Sequence, residues 1–597
     1  MNTRATLSLA LVVGSVLCAV WAVDASRAHA QAAPASLDIA GLVDRHLEEA
    51  WRRDAISPAP PSSDSEFLRR VYLDVVGEPP TRAQASAFLA DTAPDKRARL
   101  IDRLLEDPRF GEHLADRWTA ILARRGGDEA QTGGRDLLAV WLAAQFNANT
   151  GFARIMEQLI TATGPISENP AAAYYVLMGQ PRPATADMAG QTLKHFAGIQ
   201  IQCAQCHDHP YQPAWTQETF GGIAGFFNAL DIRYDFTVQP LNPTISDQPL
   251  PAPKLLEAYL KNRALDAEAR NRAEEMLRYR QPRLPGDKPV KTQAVEFYRP
   301  MLYRWLVAPE NRTARQYLAN RFWSFLFGTA FVSPVDDFNA FNKPAHPALL
   351  EALADAFAAR GYDVKAFYRG LLNSRAYQLS SAGRPANAQP WHFASYPVRQ
   401  LTPEQFFASF FVLAPGDAFV RSFERQTQGP LARLRQYADF IEQQRKQNPD
   451  GNYPRFDREL LARYEKLLAP MGPRWQIRRA LAQRYTTRTM DDEQTESESF
   501  SLSIDQALEV LNGDVTRRLG GSLNGTLLFE VLRDEKEDSA RLDQLWLAVL
   551  TRQPSDRERR LALDFLAQER KEGRRDAALY EDLFFALVST TEFATNK

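Results

Sequence analysis

Cysteine is nearly absent from this chain, which has three among 597 residues. Cys18 lies in an N-terminal segment typical of a cleaved leader, so two cysteines are expected in the mature protein. Two cysteines form at most one disulfide, and a disulfide framework therefore cannot hold so long a chain together. The fold must instead be stabilised by apolar cores.

An excess of charge of one sign is also lacking. Lysine and arginine together number 72, against 73 aspartate and glutamate residues, which gives a formal net charge of −1. This balance argues against a general nucleic-acid binder and against a protein that binds anionic lipid surfaces. Beyond the N-terminal segment no stretch reaches the roughly 18 consecutive apolar residues of a membrane span. No integral membrane span is therefore predicted in the mature chain.

Standard catalytic motifs are missing as well. The sequence has no G-x-S-x-G, no phosphate-binding loop, no dinucleotide fingerprint and no H-E-x-x-H. The common hydrolase, kinase and dehydrogenase interpretations therefore lack support. Catalytic residues cannot be named from the sequence, and whether the protein is an enzyme is left open.

Residues 1–30 have the pattern of a secretory signal peptide. They contain Arg4, an apolar run from Leu7 to Val23, and a small-residue cleavage pattern that ends at Ala30. The mature protein is therefore expected to be exported, to the periplasm or outside the cell. Haem c is assembled in such a compartment, and structural disulfides also persist there.

The two remaining cysteines stand in the pentapeptide Cys203-Ala204-Gln205-Cys206-His207. Two cysteines that flank two residues, followed at once by histidine, are the attachment pattern for c-type haem. That chemistry needs this spacing, because each thiol adds to one haem vinyl group and the adjacent histidine becomes the proximal iron ligand. The leading interpretation is one covalent haem per chain, bound through Cys203, Cys206 and His207.

Other chemistry at the same cluster stays open. His209 follows two residues after His207, so Cys203, Cys206, His207 and His209 could be metal ligands. Four ligands within seven residues crowd a tetrahedral zinc site, and a copper site that draws one ligand from elsewhere is sterically easier. A plain Cys203–Cys206 disulfide would close a very small loop and would be redox-labile.

The sixth iron ligand is not fixed by the sequence. Met178 and Met188 are nearby candidates, with core packing as the alternative for each. His209 lies too close to His207 along the chain to reach the opposite face of the same haem without an unusual loop. We expect His209 to form local hydrogen bonds or to line the haem edge.

The helical signals predict a mainly α fold of two helical domains, with few short strands. Capping boxes begin at Thr81, Thr402 and Ser555, and one strand is predicted from Ile232 to Val238. The predicted organisation is listed here in chain order: signal peptide 1–30, a domain with the CxxCH motif at 38–230, a proline-rich and charged connector at 231–292, and a helical companion domain at 293–590.

Two adjacent carboxylates of the companion domain, Asp336 and Asp337, precede Phe338. A pair of carboxylates can bind a cation or act as acid and base. The alternative is that they point to different sides, one capping a helix and the other paired with an arginine.

Blocks of residues in a fixed order give a resemblance that covers most of the mature chain. These blocks are listed here: Phe67 to Asp74, Pro79-Pro80-Thr81, Gln202 to Pro210, Asn320-Arg321-Phe322-Trp323, Pro334 to Phe338, Gly361 to Lys365 and Ser374 to Gln378. The sequence resembles the secreted planctomycete-type cytochrome-like proteins, a pair of adjoining domains of unknown function. The resemblance implies a cytochrome-like role and, as a partner, a secreted sulfatase-like protein.

The predicted function is that of an exported c-type haem redox protein, which transfers electrons or serves as the redox half of a secreted oxidoreductase system. A redox partner protein is then expected. Two alternatives remain. One is a secreted oxidoreductase with a copper, zinc or disulfide site at the same cluster, and the other is an interaction protein in which the CxxCH is structural.

Overall fold

The structure is a computed structural model. The residues that it describes are 38–123, 133–179, 183–262, 264–291, 294–414, 430–487 and 526–597. The predicted signal peptide, residues 1–30, lies outside these ranges.

Helix starts follow from residues that satisfy the first free backbone N–H groups. Thr81, Thr402 and Ser555 each accept a hydrogen bond from the backbone N–H three residues later, and each backbone N–H is bonded in return by the side chain at that position. All three predicted capping boxes are thus confirmed.

The helices before the connector form the first half of the fold. They are α1 (Ile39–Arg53), α2 (Asp64–Val76), α3 (Arg82–Ala90), α4 (Lys96–Leu105), α5 (Pro108–Leu122), α6 (Gly134–Asn147), α7 (Phe152–Ile160), α8 (Ala173–Val176), α9 (Thr185–Ala197) and α10 (Gln217–Ala224). Short 3-10 helices add Pro170–Ala172, Gln202–Gln205 and Gly225–Phe227.

The connector and the following residues are also mainly helical. The helices are α11 (Pro253–Leu260), α12 (Ala267–Arg278), α13 (Tyr298–Leu306), α14 (Arg312–Phe327), α15 (Pro347–Ala359), α16 (Val364–Asn373), α17 (Arg375–Gln378), α18 (Pro403–Leu413), α19 (Pro430–Gln447), α20 (Arg458–Leu468), α21 (Pro473–Thr487), α22 (Leu527–Asp534), α23 (Asp538–Leu550), α24 (Asp556–Lys571) and α25 (Asp576–Val588). Two further 3-10 helices span Val295–Phe297 and Pro390–His392. The mainly α prediction is confirmed.

In the part of the chain that the structure describes, the strands are short and form three small sheets. They are β1 (Gly164–Pro165), β2 (Leu230–Arg233), β3 (Val238–Gln239), β4 (Thr244–Asp247), β5 (Arg399–Gln400), β6 (Arg455–Phe456) and β7 (Thr595–Asn596). β4 lies between β1 and β2 and is antiparallel to both, β3 is parallel to β6, and β5 is antiparallel to β7.

The strand predicted from Ile232 to Val238 is correct only at its two ends. β2 stops at Arg233 and β3 starts at Val238. Between them the Asp235 carboxylate accepts hydrogen bonds from the backbone N–H and the hydroxyl of Thr237. This local turn competes with the extended backbone that the alternating pattern predicts.

The connector packs tightly on the first half of the chain. A Cβ added at Gly222 would lie 2.8 Å from the carbonyl oxygen of Arg283, and one at Gly225 would lie 2.7 Å from the backbone nitrogen of Pro282. The Arg283 N–H also donates to the Gly222 carbonyl at 2.9 Å. These glycines allow the backbone of the connector to approach closely.

The main core combines residues from before and after the connector. Trp118 on α5 packs against Phe152, Phe322 and Phe325, with ring centroids 4.4, 5.7 and 6.0 Å away. A second core forms around Phe410 and the last four helices and takes Leu73 from α2. Among the helices of the described residues, none has both the length and the apolar character to cross a membrane. The predicted boundaries of the two domains stay a prediction.

Candidate functional site at Cys203–His207

A glycine in the left-handed backbone conformation ends the helix that precedes the CxxCH motif. Gly198 ends α9 with φ of +66°, and its N–H donates to the carbonyl of Leu193. A Cβ at this position would lie 2.3 Å from the Tyr317 ring and 3.0 Å from the Phe338 ring. Glycine therefore serves both the backbone conformation and the close approach of two aromatic side chains from the second half of the chain.

The two cysteines lie on and directly after the 3-10 helix Gln202–Gln205. Cys203 and Cys206 are exposed free thiols, and no disulfide joins them in the structure. Ala204, between them, is fully buried, and its N–H donates to the carbonyl of Ile201 at 2.9 Å. The buried Ala204 turns its neighbours outward, so both thiols are accessible to a reactant.

His207 is exposed and has one ring nitrogen engaged. Its Nδ1 lies 2.8 Å from the carbonyl oxygen of Asp208. A carbonyl only accepts hydrogen bonds, so Nδ1 carries the proton and donates it. The other nitrogen, Nε2, then has a free lone pair, which is the form in which histidine binds metal ions.

His209 has both ring nitrogens engaged. Nε2 donates to the carbonyl of Gln200 at 3.2 Å, and Nδ1 accepts from the backbone N–H of Tyr211 at 3.2 Å. The neutral ring is thus held in one tautomer without a free lone pair. The expectation of local hydrogen bonding agrees with this geometry, whereas a ligand role for His209 through Nδ1 would require the bond from Tyr211 to break.

Residues distant in the sequence hold the carbonyl groups of the motif. Gln217 on α10 donates through Nε2 to the carbonyls of Gln205 and Cys206, at 3.2 and 3.1 Å. The backbone N–H of Gln217 donates to the Asp208 carboxylate at 2.8 Å. Arg278, at the end of α12, donates to the Gln205 carbonyl at 2.9 Å.

Tyr279, the residue after Arg278, lies against the same turn. It is buried, its ring stands edge-on to Phe220 at 6.2 Å, and its carbonyl accepts from Asn228 at 3.0 Å. Burial raises the pKa of the Tyr279 phenol above 10, and a negative charge on Cys206 would raise it further. The sequence analysis missed both connector residues, because nothing local in residues 278–279 points to a motif 70 residues earlier.

The segment 336–342 of the second half docks on this region. The Phe338 N–H donates to the Gly198 carbonyl at 2.7 Å, and its carbonyl accepts from Gln212 Nε2 at 2.9 Å. Asp336 is buried, accepts from Gln200 at 3.3 Å and lies 3.4 Å from Lys194 Nζ.

The two adjacent carboxylates have separate partners. Asp336 also pairs with Arg321 at 3.8 Å, whereas Asp337 accepts from the Asn342 side chain at 2.8 Å. The two carboxylates therefore do not form a pair, and their contacts agree with the alternative in which they point to different sides. The sequence did not predict a contact between either carboxylate and the CxxCH region. Asp336 makes such a contact, because it accepts a hydrogen bond from Gln200.

Two family models match the chain. Residues 42–232 match PSCyt2, described as a protein of unknown function (DUF1549), and residues 298–566 match PSD1, described as a protein of unknown function (DUF1553). The two matches follow one another along the chain and leave residues 233–297 between them. This agrees with the two adjoining domains of the resemblance, and neither description states a function. No curated protein and no solved structure matches the chain.

The site is built from both matched domains and from the residues between them. PSCyt2 supplies Cys203, Cys206 and His207, and PSD1 supplies the docked segment 336–342. Arg278 falls outside both matched ranges, in the predicted connector. The cluster is therefore not an isolated loop of one domain.

The predicted candidates for a sixth ligand lie in the core. Met178 is 2% exposed and Met188 is 0% exposed, and both pack in the main core. His195, on the same helix as Met188, is buried with Nδ1 3.2 Å from the Tyr174 hydroxyl, and burial lowers its pKa to about 3. Core packing accounts for the burial of all three side chains.

Assembled metal ligands are not seen at the motif. In the described part of the chain, no group of three or more His, Cys, Asp or Glu side chains is placed to hold a metal ion. The donor set does fit covalent haem attachment, since both thiols are exposed, two residues separate them, and the adjacent His207 has Nε2 free.

Proposed function

We propose that the protein is an exported c-type haem redox protein, with haem attached at Cys203 and Cys206 and His207 as the proximal ligand. The observation that carries the proposal is the state of His207. Its Nδ1 donates to the Asp208 carbonyl, which leaves Nε2 free beside two exposed thiols. A hydrogen bond of this kind, from Nδ1–H to a carbonyl, is what orients metal-binding histidines in proteins.

The residues of the chain would have distinct tasks. Each thiol would add its S–H across one vinyl C=C bond, forming a thioether with no leaving group. His207 would present Nε2 to the iron, with the ring held by the Asp208 carbonyl. Gln217 and Arg278 would keep the turn in place through the Gln205 carbonyl. Bound haem would supply one-electron chemistry.

The size of the protein supports a recognition role beside electron transfer. A shuttle needs about 100 residues, a small domain, and this chain has 597. The remaining residues would then serve a redox partner protein. A secreted sulfatase-like partner is the expectation that comes from the family resemblance.

The test is to express the full chain with a haem c maturation system and to measure its absorption spectrum and its denatured intact mass. We expect a Soret band and a mass increased by covalent haem, both lost in Cys203→Ala/Cys206→Ala. Gln202→Ala is the matched control, because Gln202 is exposed on the same 3-10 helix and its loss leaves both thiols. A folded wild-type protein at the apo mass, despite active maturation, contradicts the proposal.

A second function is favoured by the accessibility of both thiols. Cys203 and Cys206 are free and exposed, as in dithiols that cycle through a disulfide. In that case the apo protein would lose two thiols on mild oxidation and regain them with a reductant. Thiol counting on the apo protein tests this function, and two thiols that stay free under mild oxidation would contradict it.

A further inference from the structure

Two large exposed aromatic side chains contact each other next to His209, two residues after the CxxCH motif. Tyr211 is 60% exposed and Phe341 is 70% exposed. Their rings meet edge to face, with centroids 5.6 Å apart and an angle of 83°. Single exposed apolar side chains are normal, whereas exposed apolar side chains that adjoin one another form a patch, and such patches mark binding surfaces.

Tyr211 belongs to the same loop as His207. Its N–H donates to His209 Nδ1, and its ring lies edge-on to His209 at 6.3 Å. The His209 N–H in turn donates to the carbonyl of Trp215 at 2.9 Å, and Trp215 is buried. The position of Tyr211 relative to the motif is therefore fixed by hydrogen bonds on both sides of His209.

Phe341 comes from the other matched domain, and its backbone is held firmly. The Asn339 side chain accepts from the N–H groups of Phe341 and Asn342 at 2.8 and 2.9 Å. The Asn342 side chain donates back to Asp337. The segment is anchored to PSCyt2 through Phe338, which bonds to Gly198 and Gln212. Because the turn is already fixed, its exposed ring loses little conformational freedom when a ligand binds.

We infer that Tyr211 and Phe341 are the apolar contact for the haem ring, so that PSCyt2 and PSD1 build the haem site together. The inference rests on the function proposed above. Cys203, Cys206 and His207 are all exposed, so a ring attached there starts at the surface and needs apolar cover from neighbouring side chains. Tyr211 and Phe341 supply flat aromatic surface next to the loop that carries the ligand.

The test compares Phe341→Ala and Tyr211→Ala with the wild-type protein, all matured with haem c. Three quantities are measured: the covalent haem mass, circular dichroism in the Soret band, and the midpoint potential. We expect unchanged haem mass, an altered Soret dichroism and a lower midpoint potential in both variants. Greater exposure to water favours the more highly charged ferric state, and burial is one of the factors that set haem potentials.

Phe236→Ala is the matched control. Phe236 is 61% exposed and stacks on Tyr234 rather than on residues of the motif. We expect its Soret dichroism and potential to equal those of the wild type. Phe341→Leu, which keeps apolar bulk without the ring, guards against a folding defect and should give an intermediate change.

The outcomes separate the two proposals. If the wild-type protein carries haem and the Phe341 and Tyr211 variants have wild-type spectra and potential, the shared haem site is wrong and the haem protein stands. A wild-type chain without haem mass overturns both.

Discussion

At the scale of one residue, hydrogen bonds decide which ring nitrogen of His207 and of His209 is free to bind a metal ion. The two side chains are two positions apart and have the same chemistry, yet one has Nε2 free and the other has neither nitrogen free. The sequence contains the motif, and haem attachment at its cysteines stays a prediction. The sequence could not predict these tautomers, because the partners are backbone groups whose positions depend on the fold of the loop.

Glu112, on α5, is a half-buried carboxyl with a raised pKa. Burial raises its pKa to about 7. The positive charge of Arg478 lowers the pKa, and the carboxylates of Asp116 and Glu78 offset part of that lowering. The folded state therefore binds this proton more tightly than the unfolded state. The stabilisation is complete below the unfolded pKa of 4.5 and is lost as the pH rises through 7.

We therefore expect Glu112→Gln to stabilise the protein at pH 8 by about 2 kcal/mol, with little effect at pH 5. At the higher pH the substitution removes a charge that burial disfavours, and at the lower pH the native carboxyl is already neutral. Urea unfolding midpoints at the two pH values measure this. Glu310→Gln, at an exposed position, is the control, and an equal gain from Glu112→Gln at both pH values would contradict the prediction.

At the scale of helices and strands, local signals were predictable and packing was not. The starts at Thr81, Thr402 and Ser555 could be predicted because each cap involves residues three positions apart. The break between β2 and β3 could not be predicted from alternation alone, since it depends on the Asp235 side chain. The segment predicted as a connector, residues 231–292, contains β3, β4, α11 and α12 and reaches the CxxCH motif through Arg278.

The contact between the 3-10 helix Gly225–Phe227 and the connector gives a prediction for Gly225. A Cβ there meets the Pro282 backbone at 2.7 Å, and backbone cannot move aside as a flexible side chain can. We expect Gly225→Ala to lower the free energy of unfolding by about 1–3 kcal/mol, as for overpacked sites. Gly472→Ala is the control, because no atom lies within 4 Å of its added Cβ. Equal urea midpoints for the two variants would show that the connector is loosely packed.

On the scale of the whole molecule, Asp74 joins three distant parts of the chain. The buried carboxylate of this α2 residue accepts from the hydroxyls of Tyr377 and Tyr396, each at 2.8 Å, and from Asn596 at 2.7 Å. Arg399 also pairs with it. One side chain from the PSCyt2 range thus binds the PSD1 range and the last strand.

We expect Asp74→Ala to destabilise the protein by about 3–5 kcal/mol, because it leaves the half-buried Arg399 without its carboxylate and the side chains of Tyr377 and Asn596 without their acceptor. Asp102→Ala is the matched control, since its pair with Arg369 is exposed and should contribute less than about 1 kcal/mol. Chemical denaturation of the full chain measures both changes. A loss for Asp74→Ala no greater than for Asp102→Ala would show that the network does not join the domains.

The common core is the part of the architecture that the sequence did not predict. Two adjoining domains could be predicted from the order of the motif blocks. The contact of Trp118 with Phe322 and Phe325 could not be predicted, because more than 200 residues separate Trp118 from the two phenylalanines. The apolar pattern of each helix shows which face is buried but not which other helix covers it.

The docked segment 336–342 also has a consequence for the order of events during synthesis. Ribosomes make the chain from its first residue onward at roughly 5–20 residues per second, so Phe341 follows Cys206 by roughly ten seconds. During that interval the two thiols exist without the PSD1 half of their surroundings. Under the proposed function, export that proceeds alongside synthesis would present an attachment enzyme with an open turn, and the later arrival of Phe341 would enclose the haem.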